Sequence, residues 1–256
     1  MGIGSSLLST GFAGQNLLQL SSDSDVSFCV NGFVQYRFLG QEVWLTTTHI
    51  TLLIVILALT VFALIANRVI RKADPEKAPG PFLNAIEYMV DAIDNLTRTN
   101  MGEKHGGKFA SYIGTIFCFI LLANIAGLFG LRPPTADYGV TFGLALITFI
   151  LIHYNGFKYQ KMGHITNLFK PVLLTPINIL GELATPLSMS LRLFGNVLSG
   201  TVMMGLVYGL LNKFVLIAWP AVLHGYFDVF SGAIQTYVFC MLTMTYITDA
   251  CTTSES

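Results

Sequence analysis

Charge is scarce in this chain. Lys, Arg, Asp and Glu make up 11% of its 256 residues, 53% are hydrophobic, and the two signs cancel at 14 each. A soluble domain carries about a quarter charged residues, so this composition belongs to a chain that meets lipid rather than water. With no basic excess, a nucleic-acid partner is not expected. Cysteine is also sparse. Cys29, Cys118, Cys240 and Cys251 are scattered, with neither metal-ligand spacing nor a disulfide framework. No Gly-rich phosphate loop occurs, so no nucleotide site of that kind is expected, and neither cofactor nor metal is implied. The first basic residue is Arg37, so the positive region of a signal peptide and the Arg/Ser pattern of a transit peptide are both missing. Residues 1–44 therefore read as a retained external segment, lying on the membrane surface or against a partner.

In place of charge there are long apolar runs. Stretches at about 45–66, 109–131, 138–157, 176–211 and 217–248 are each long enough to cross a bilayer, which makes 45–256 one polytopic membrane domain. Trp44 heads the first span as an interfacial anchor, and Arg68, Arg71 and Lys72 close it. Pro75, Pro79 and Pro81 break the linker that follows. Phe82, Ile86, Met89, Val90, Ile93 and Leu96 then repeat at helical spacing, with Glu87, Asp91, Asp94 and Arg98 on the other face. That pattern predicts an amphipathic helix over about 81–100, too polar to span and suited to the interface. The fold expected is an all-α membrane protein of five membrane helices plus one interfacial amphipathic helix. The last two helices are expected to be long, tilted and paired as a hairpin. Ten Lys/Arg fall in loops on one side, against Arg37, Arg132 and Lys213 on the other, which places the N-terminus outside and the C-terminus inside. His49 and His153 sit near span ends and read as interfacial hydrogen-bonding residues.

The fourth span carries the chemistry. From Pro176 to Leu211 it would run about 54 Å at 1.5 Å per residue, against about 30 Å of hydrocarbon, so it must tilt steeply or break at Pro186. Asn178, Glu182, Thr185, Arg192, Asn196 and Ser199 recur along one helical face. Hydroxyls and amides in such a stripe often serve only to bond neighbouring helices. Arg192 is different, because a cation at mid-membrane costs about 2.5–3.5 kcal/mol on insertion scales and faces protein or water when it occurs. The last helix has its own polar face, His224, Asp228, Ser231 and Gln235.

If the turn between these helices is centred near 213–214, residues equally far from it share a depth. Arg192 is then mirrored by Gln235 and Ser199 by Asp228, with Thr201 in the outer half. Glu182 and Asn178 fall in the inner half, opposite Thr245 and Asp249. A continuous polar wire would leak. Two offset polar clusters separated by a positive charge would not, since that charge repels H⁺ or Na⁺. Passage then needs a moving carrier, and a carboxylate drawn to Arg192 is favoured in its charged form and so releases its ion.

The run Leu191-Arg192-Leu193-Phe194-Gly195-Asn196 resembles the signature of subunit a, the stator ion-channel subunit of rotary F-type ATP synthases of the bacterial type. The resemblance extends from the first membrane helix to the C-terminus, and Asn124 and the loop Arg132–Asp137 fit it. It implies a non-catalytic subunit of the ATP synthase membrane sector in the bacterial plasma membrane. H⁺ or Na⁺ would pass through two offset half-channels at the stator–rotor interface, coupling the ion gradient to rotation and ATP synthesis. Arg192 would face the rotor as the coupling residue, flanked by Asn196 and Gln235. Outer access is implied through Asp228, His224, Asn124 and Thr201, and inner access past Glu182 and Asn178. Thr201 stands where other members have a titratable residue, and Asp228 where some have histidine, leaving Asp228 as the outer relay. Implied partners are a rotor ring of small carboxylate-bearing hairpin subunits, peripheral-stalk membrane subunits and the lipid bilayer. The competing reading is a self-contained ion-coupled secondary transporter. Such folds show paired interrupted helices, and only one copy of the polar, proline-bearing pattern is present.

Overall fold

A computed structural model describes residues 32–38, 41–73, 80–160, 163, 175–210 and 219–252. The N-terminal stretch before 32, most of the proline linker, Lys161, Lys170 and the turn at 211–213 lie outside the described residues. First comes an antiparallel hairpin of β1 (Gly32–Phe38) and β2 (Gln41–Thr46). The expected boundary at 44/45 falls inside β2. Apolar and polar residues alternate from Val34 to Phe38, a period-two pattern that could have revealed the hairpin in the sequence.

Beyond the hairpin the described chain is helical, with five helices long and apolar enough to cross a membrane. The first, α1 (Thr47–Lys72), runs past the expected end at 66 because Arg71 and Lys72 form its last turn. Positive charge there complements the negative end of the helix dipole.

Next is α2 (Pro81–Ile125), two helical halves joined at a kink. The 81–100 helix and the span from 109 are not separated by a loop: helical structure continues through both, broken only at Gly102 (φ 75°, ψ 164°). That backbone region is open essentially to glycine alone, so one residue suffices as the hinge. The two halves then pack on each other. A Cβ on Gly106 would lie 2.7 Å from the Arg98 Cα, and one on Gly114 would lie 3.4 Å from Ile93. Ile86 is buried, and Met89, Ile93 and Leu96 are partly so, whereas Phe82 and Val90 remain exposed. The hinge is clasped by Arg98, whose Nε donates to Asp94 Oδ2 at 2.6 Å and whose guanidinium also reaches Glu103 beyond the glycine. The hydrogen bond that Arg98 donates to Asp94, then that to Glu103, raises the Arg98 pKa above its ordinary value.

A 3-10 turn, Ala126–Phe129, ends α2 at Gly130, which takes the left-handed φ of 70°. A second, Pro134–Ala136, leads into α3 (Tyr138–Gln160). Then comes α4 (Thr175–Leu210), 36 residues without interruption and with Pro186 buried inside it. It is one helix of about 54 Å and not two short ones, so a membrane about 30 Å thick in its apolar part requires it to tilt. The last span is not uniform, as the sequence suggested, but is divided into α5 (Trp219–His224), a π-helical stretch (Gly225–Ser231) and α6 (Gly232–Thr252).

The core lies where α2, α3, α4 and α6 meet. Ile113, Ile120, Ala145, Leu193, Phe239, Cys240, Met244 and Ile247 are buried there. By contrast α1 leaves Leu53, Leu57 and Leu64 more than half exposed, an apolar face for lipid or other subunits. The helices alternate in direction. At one end the Gln160 Nε2 donates to the Ala250 carbonyl at 2.8 Å, and His105 meets Tyr159 edge-on. At the other, His49, Asp137 and Gly139 share a depression, and the Thr46 hydroxyl bonds His49 Nδ1 at 2.7 Å.

Candidate functional site

Two contacts set the register of the α4 hairpin. Ser231 Oγ donates to Asn196 Oδ1 at 2.8 Å, and Gly200 packs on Phe227, a Cβ there falling 3.5 Å from the ring side chain. Both pairs have their midpoint between residues 213 and 214. The same register carries Arg192 to the depth of Gln235 and Ser199 to that of Asp228.

At the Arg132 end a cavity of about 370 Å³ opens between α4, the π-helical stretch and the end of α2. Asn124, Asn196, Thr201, His224 and Asp228 all line it, with Arg132 and Pro133 at the loop side. Its centre is a pair: His224 Nδ1 lies 2.7 Å from Asp228 Oδ2, with both side chains partly exposed. A π-helical turn widens the backbone through its i→i+5 bonds, and such turns concentrate at functional positions. Here it carries Asp228. Gly127 makes room for the carboxylate, since a Cβ at that position would sit 3.2 Å from it. Asn124 is fixed from both sides. Its amide donates to the Gly232 carbonyl at 3.2 Å, and its oxygen accepts from the buried Thr135 hydroxyl at 2.9 Å. The Thr201 hydroxyl lines the cavity but donates to its own helix at Val197 O, 2.9 Å away.

Arg192 is placed otherwise. Met189, Ser190 and Leu193 turn inward and are buried, whereas Arg192 and Leu191 are exposed. Leu183, Leu187, Leu198 and Met203 elsewhere on the same helix are exposed as well. Among the described residues, no hydrogen bond or ion pair engages Arg192. Asn196, one turn along, does not serve it: that amide is held by Ser231 beside the cavity. Gln235 is buried on α6, and its Nε2 has no hydrogen-bond partner among the described residues.

Toward the Gln160 end stands a second polar contact. Glu182 Oε1 lies 3.4 Å from His153 Nε2, reaching across from α4 to α3. Asn178, one turn earlier, is half-buried. Among the described residues, no three His, Cys, Asp or Glu side chains converge as metal ligands.

Three participants escaped the sequence reading. His153 looked like an interfacial histidine, and only the packing of α3 on α4 brings it to Glu182. Thr135 and Gly127 lie in the stretch recognised as loop and helix end. An apolar span ending in an amide, then Gly and a Thr between prolines, was the available signal.

The family described as ATP synthase A chain matches residues 49–248. The sodium ion specific ATP synthase subunit a of Propionigenium modestum is 42% identical over 158 residues, covering 55% of this chain and 53% of that protein. ATP synthase subunit a of Staphylococcus saprophyticus is 32% identical over 232 residues, covering 84% of this chain and 94% of its own length. That of Priestia megaterium is 34% identical over 226 residues, covering 82% and 93% respectively.

Proposed function

Since this chain belongs to the ATP synthase A chain family, we propose that it is the stator channel through which H⁺ or Na⁺ reaches and leaves a rotor ring. The observation that carries this reading is Arg192: a cation left exposed on a helix with many uncovered leucines, with no partner of its own among the described residues. In a membrane such a charge must be covered by protein or water. A ring of small hairpin subunits, each with a carboxylate at mid-membrane, supplies both the cover and the counter-charge.

Two half-channels approach the arginine from opposite sides. The outer one is the cavity around Asp228, His224, Asn124 and Thr201, and it delivers ions to an empty carrier. The inner one passes Glu182 and Asn178. Arg192 stands between them, repels a free cation, and attracts the carrier carboxylate in its charged form, so each carrier gives up its ion before passing. Rotation of the ring then couples ion flow to ATP synthesis. The excess of basic residues in the 68–108 and 158–170 regions puts the inner side in the cytoplasm and the N-terminus outside. Peripheral-stalk membrane subunits would hold the chain still against the ring. A self-contained transporter would enclose its central arginine, and here the arginine points outward.

Whole complexes in vesicles test this directly. Arg192→Ala removes both the electrostatic barrier and the help with ion release, so synthesis driven by an imposed gradient is lost while passive leak rises. Near-normal synthesis by that variant would overturn the reading. Running the wild type with and without Na⁺ at fixed membrane potential identifies the ion.

A further inference from the structure

We propose that His153 is a proton-sensitive positioning residue for Glu182, making ion exchange at the inner end of α4 respond to the pH of the compartment it opens to. The inference rests on the reading of Glu182 as an inner-path group and adds a second helix to that path.

The geometry is specific. His153 Nε2 stands 3.4 Å from Glu182 Oε1, and the two side chains keep 27% and 33% of their surface exposed. The imidazole is also held from its own helix, by the Phe149 ring one turn earlier, with centroids 4.1 Å apart. The pair is thus backed by protein yet keeps about a third of its surface uncovered, as a site exchanging protons must. Histidine is the side chain whose ordinary titration falls between about pH 5 and 8. As imidazolium it holds a carboxylate by a charge-assisted bond, about twice as strong as the bond a neutral ring can offer. At 3.4 Å the contact is longer than such bonds at their strongest, so the carboxylate is restrained but not locked. A change in the charge on His153 therefore changes how firmly Glu182 is held beside α3 and how readily it turns toward a passing ion.

Other titratable groups share this end. Asp249 comes from α6, where Gln160 bonds the backbone, His105 and Lys108 from α2, and Lys158 from α3 itself. Arg192 lies ten residues farther along α4, about 15 Å away. All of these stay in place when His153 alone is changed, so they form a constant background to the comparison.

The experiment uses the whole complex in vesicles. ATP synthesis is measured at fixed membrane potential and fixed outer pH while the pH on the catalytic-head side is varied between about 5 and 8. His153→Phe is expected to lower the rate several-fold and flatten the profile. His153→Gln, which can still donate to the carboxylate but does not titrate, should keep most of the rate and show the same flattening. On a Glu182→Gln background, His153→Phe should add nothing. A wild-type profile in His153→Gln, or an undiminished effect of His153→Phe on the Glu182→Gln background, overturns the proposal. If His153→Phe fails to assemble, the His153→Gln profile decides. A Glu182→Gln variant with wild-type rates at every pH would instead remove the inner-path reading, and this proposal with it. Impaired Glu182→Gln beside an unaltered His153→Gln removes His153 alone.

Discussion

The two halves of the α4 hairpin are furnished unequally. Around Asp228 the chain closes a chamber by itself: His224 bonds the carboxylate, Gly127 gives it space, and Asn124 is pinned between Thr135 and the Gly232 carbonyl. Around Glu182 the described residues give one cross-helix contact, with His153 Nε2 at 3.4 Å. Arg192, between them, is left bare. A polar group inside one chain is stabilised by neighbours in that chain, whereas one on an outer face depends on whatever docks there. The contrast therefore separates what this chain completes by itself from what, under the proposed function, a docked ring would complete.

The largest expected effect comes from the bare position. Arg192→Lys should lose coupled synthesis nearly as completely as Arg192→Ala, because a compact ammonium lacks the planar fork that holds a carboxylate. Synthesis and passive ion flux in vesicles measure both variants, and survival of Arg192→Lys would mean that charge alone is enough.

Changes in the two polar clusters should cost less. Asp228→Leu and Glu182→Gln are each expected to slow synthesis about tenfold, equivalent to about 1.4 kcal/mol on the rate-limiting step. Their directions should differ. Asp228→Leu should respond to ion concentration outside, Glu182→Gln to that inside. Identical responses to both gradients would erase the distinction between the clusters.

Gly102 tests whether the α2 hinge supports the hairpin from behind. Alanine there must adopt a backbone region reserved for glycine, costing about 1–3 kcal/mol. A lower yield of assembled complex, or a lower unfolding temperature, is the expected outcome, with synthesis per assembled complex unchanged.

The smallest effect should come from Gly127→Ala. The new methyl would press on the flexible end of Asp228, which can move by a few tenths of an ångström. Synthesis should fall by about two- to threefold, and Gly127→Val should fall further. No difference between the two would show that the carboxylate has more room than the cavity geometry implies.

Much of this arrangement was legible in the residues. Long apolar runs mark the spans because a bilayer tolerates few charges, and the length of α4 followed from counting across Pro186. The hairpin register followed from symmetry about 213–214, and the Asn196–Ser231 and Gly200–Phe227 contacts obey it. Less legible was the last span. Offsets of His224, Asp228, Ser231 and Gln235 suit an ordinary helix, and nothing in them announces the π-helical stretch between His224 and Gln235. The join at Gly102 was hidden too, since a glycine within a polar run reads as part of a loop.

What the sequence determined by itself is therefore periodic or electrostatic: which segments cross, which side is basic, and that one arginine stands alone at mid-length. Those features depend on single residues and the membrane as solvent. Tertiary structure decided which polar groups meet. Asn196 turned to Ser231 and away from Arg192, Glu182 acquired a histidine thirty residues upstream or so by a crossing of α3 and α4, and Thr135 became the anchor of Asn124. Helical spacing assigns a residue to a face, but only the packing of four helices in the core sets what that face looks upon.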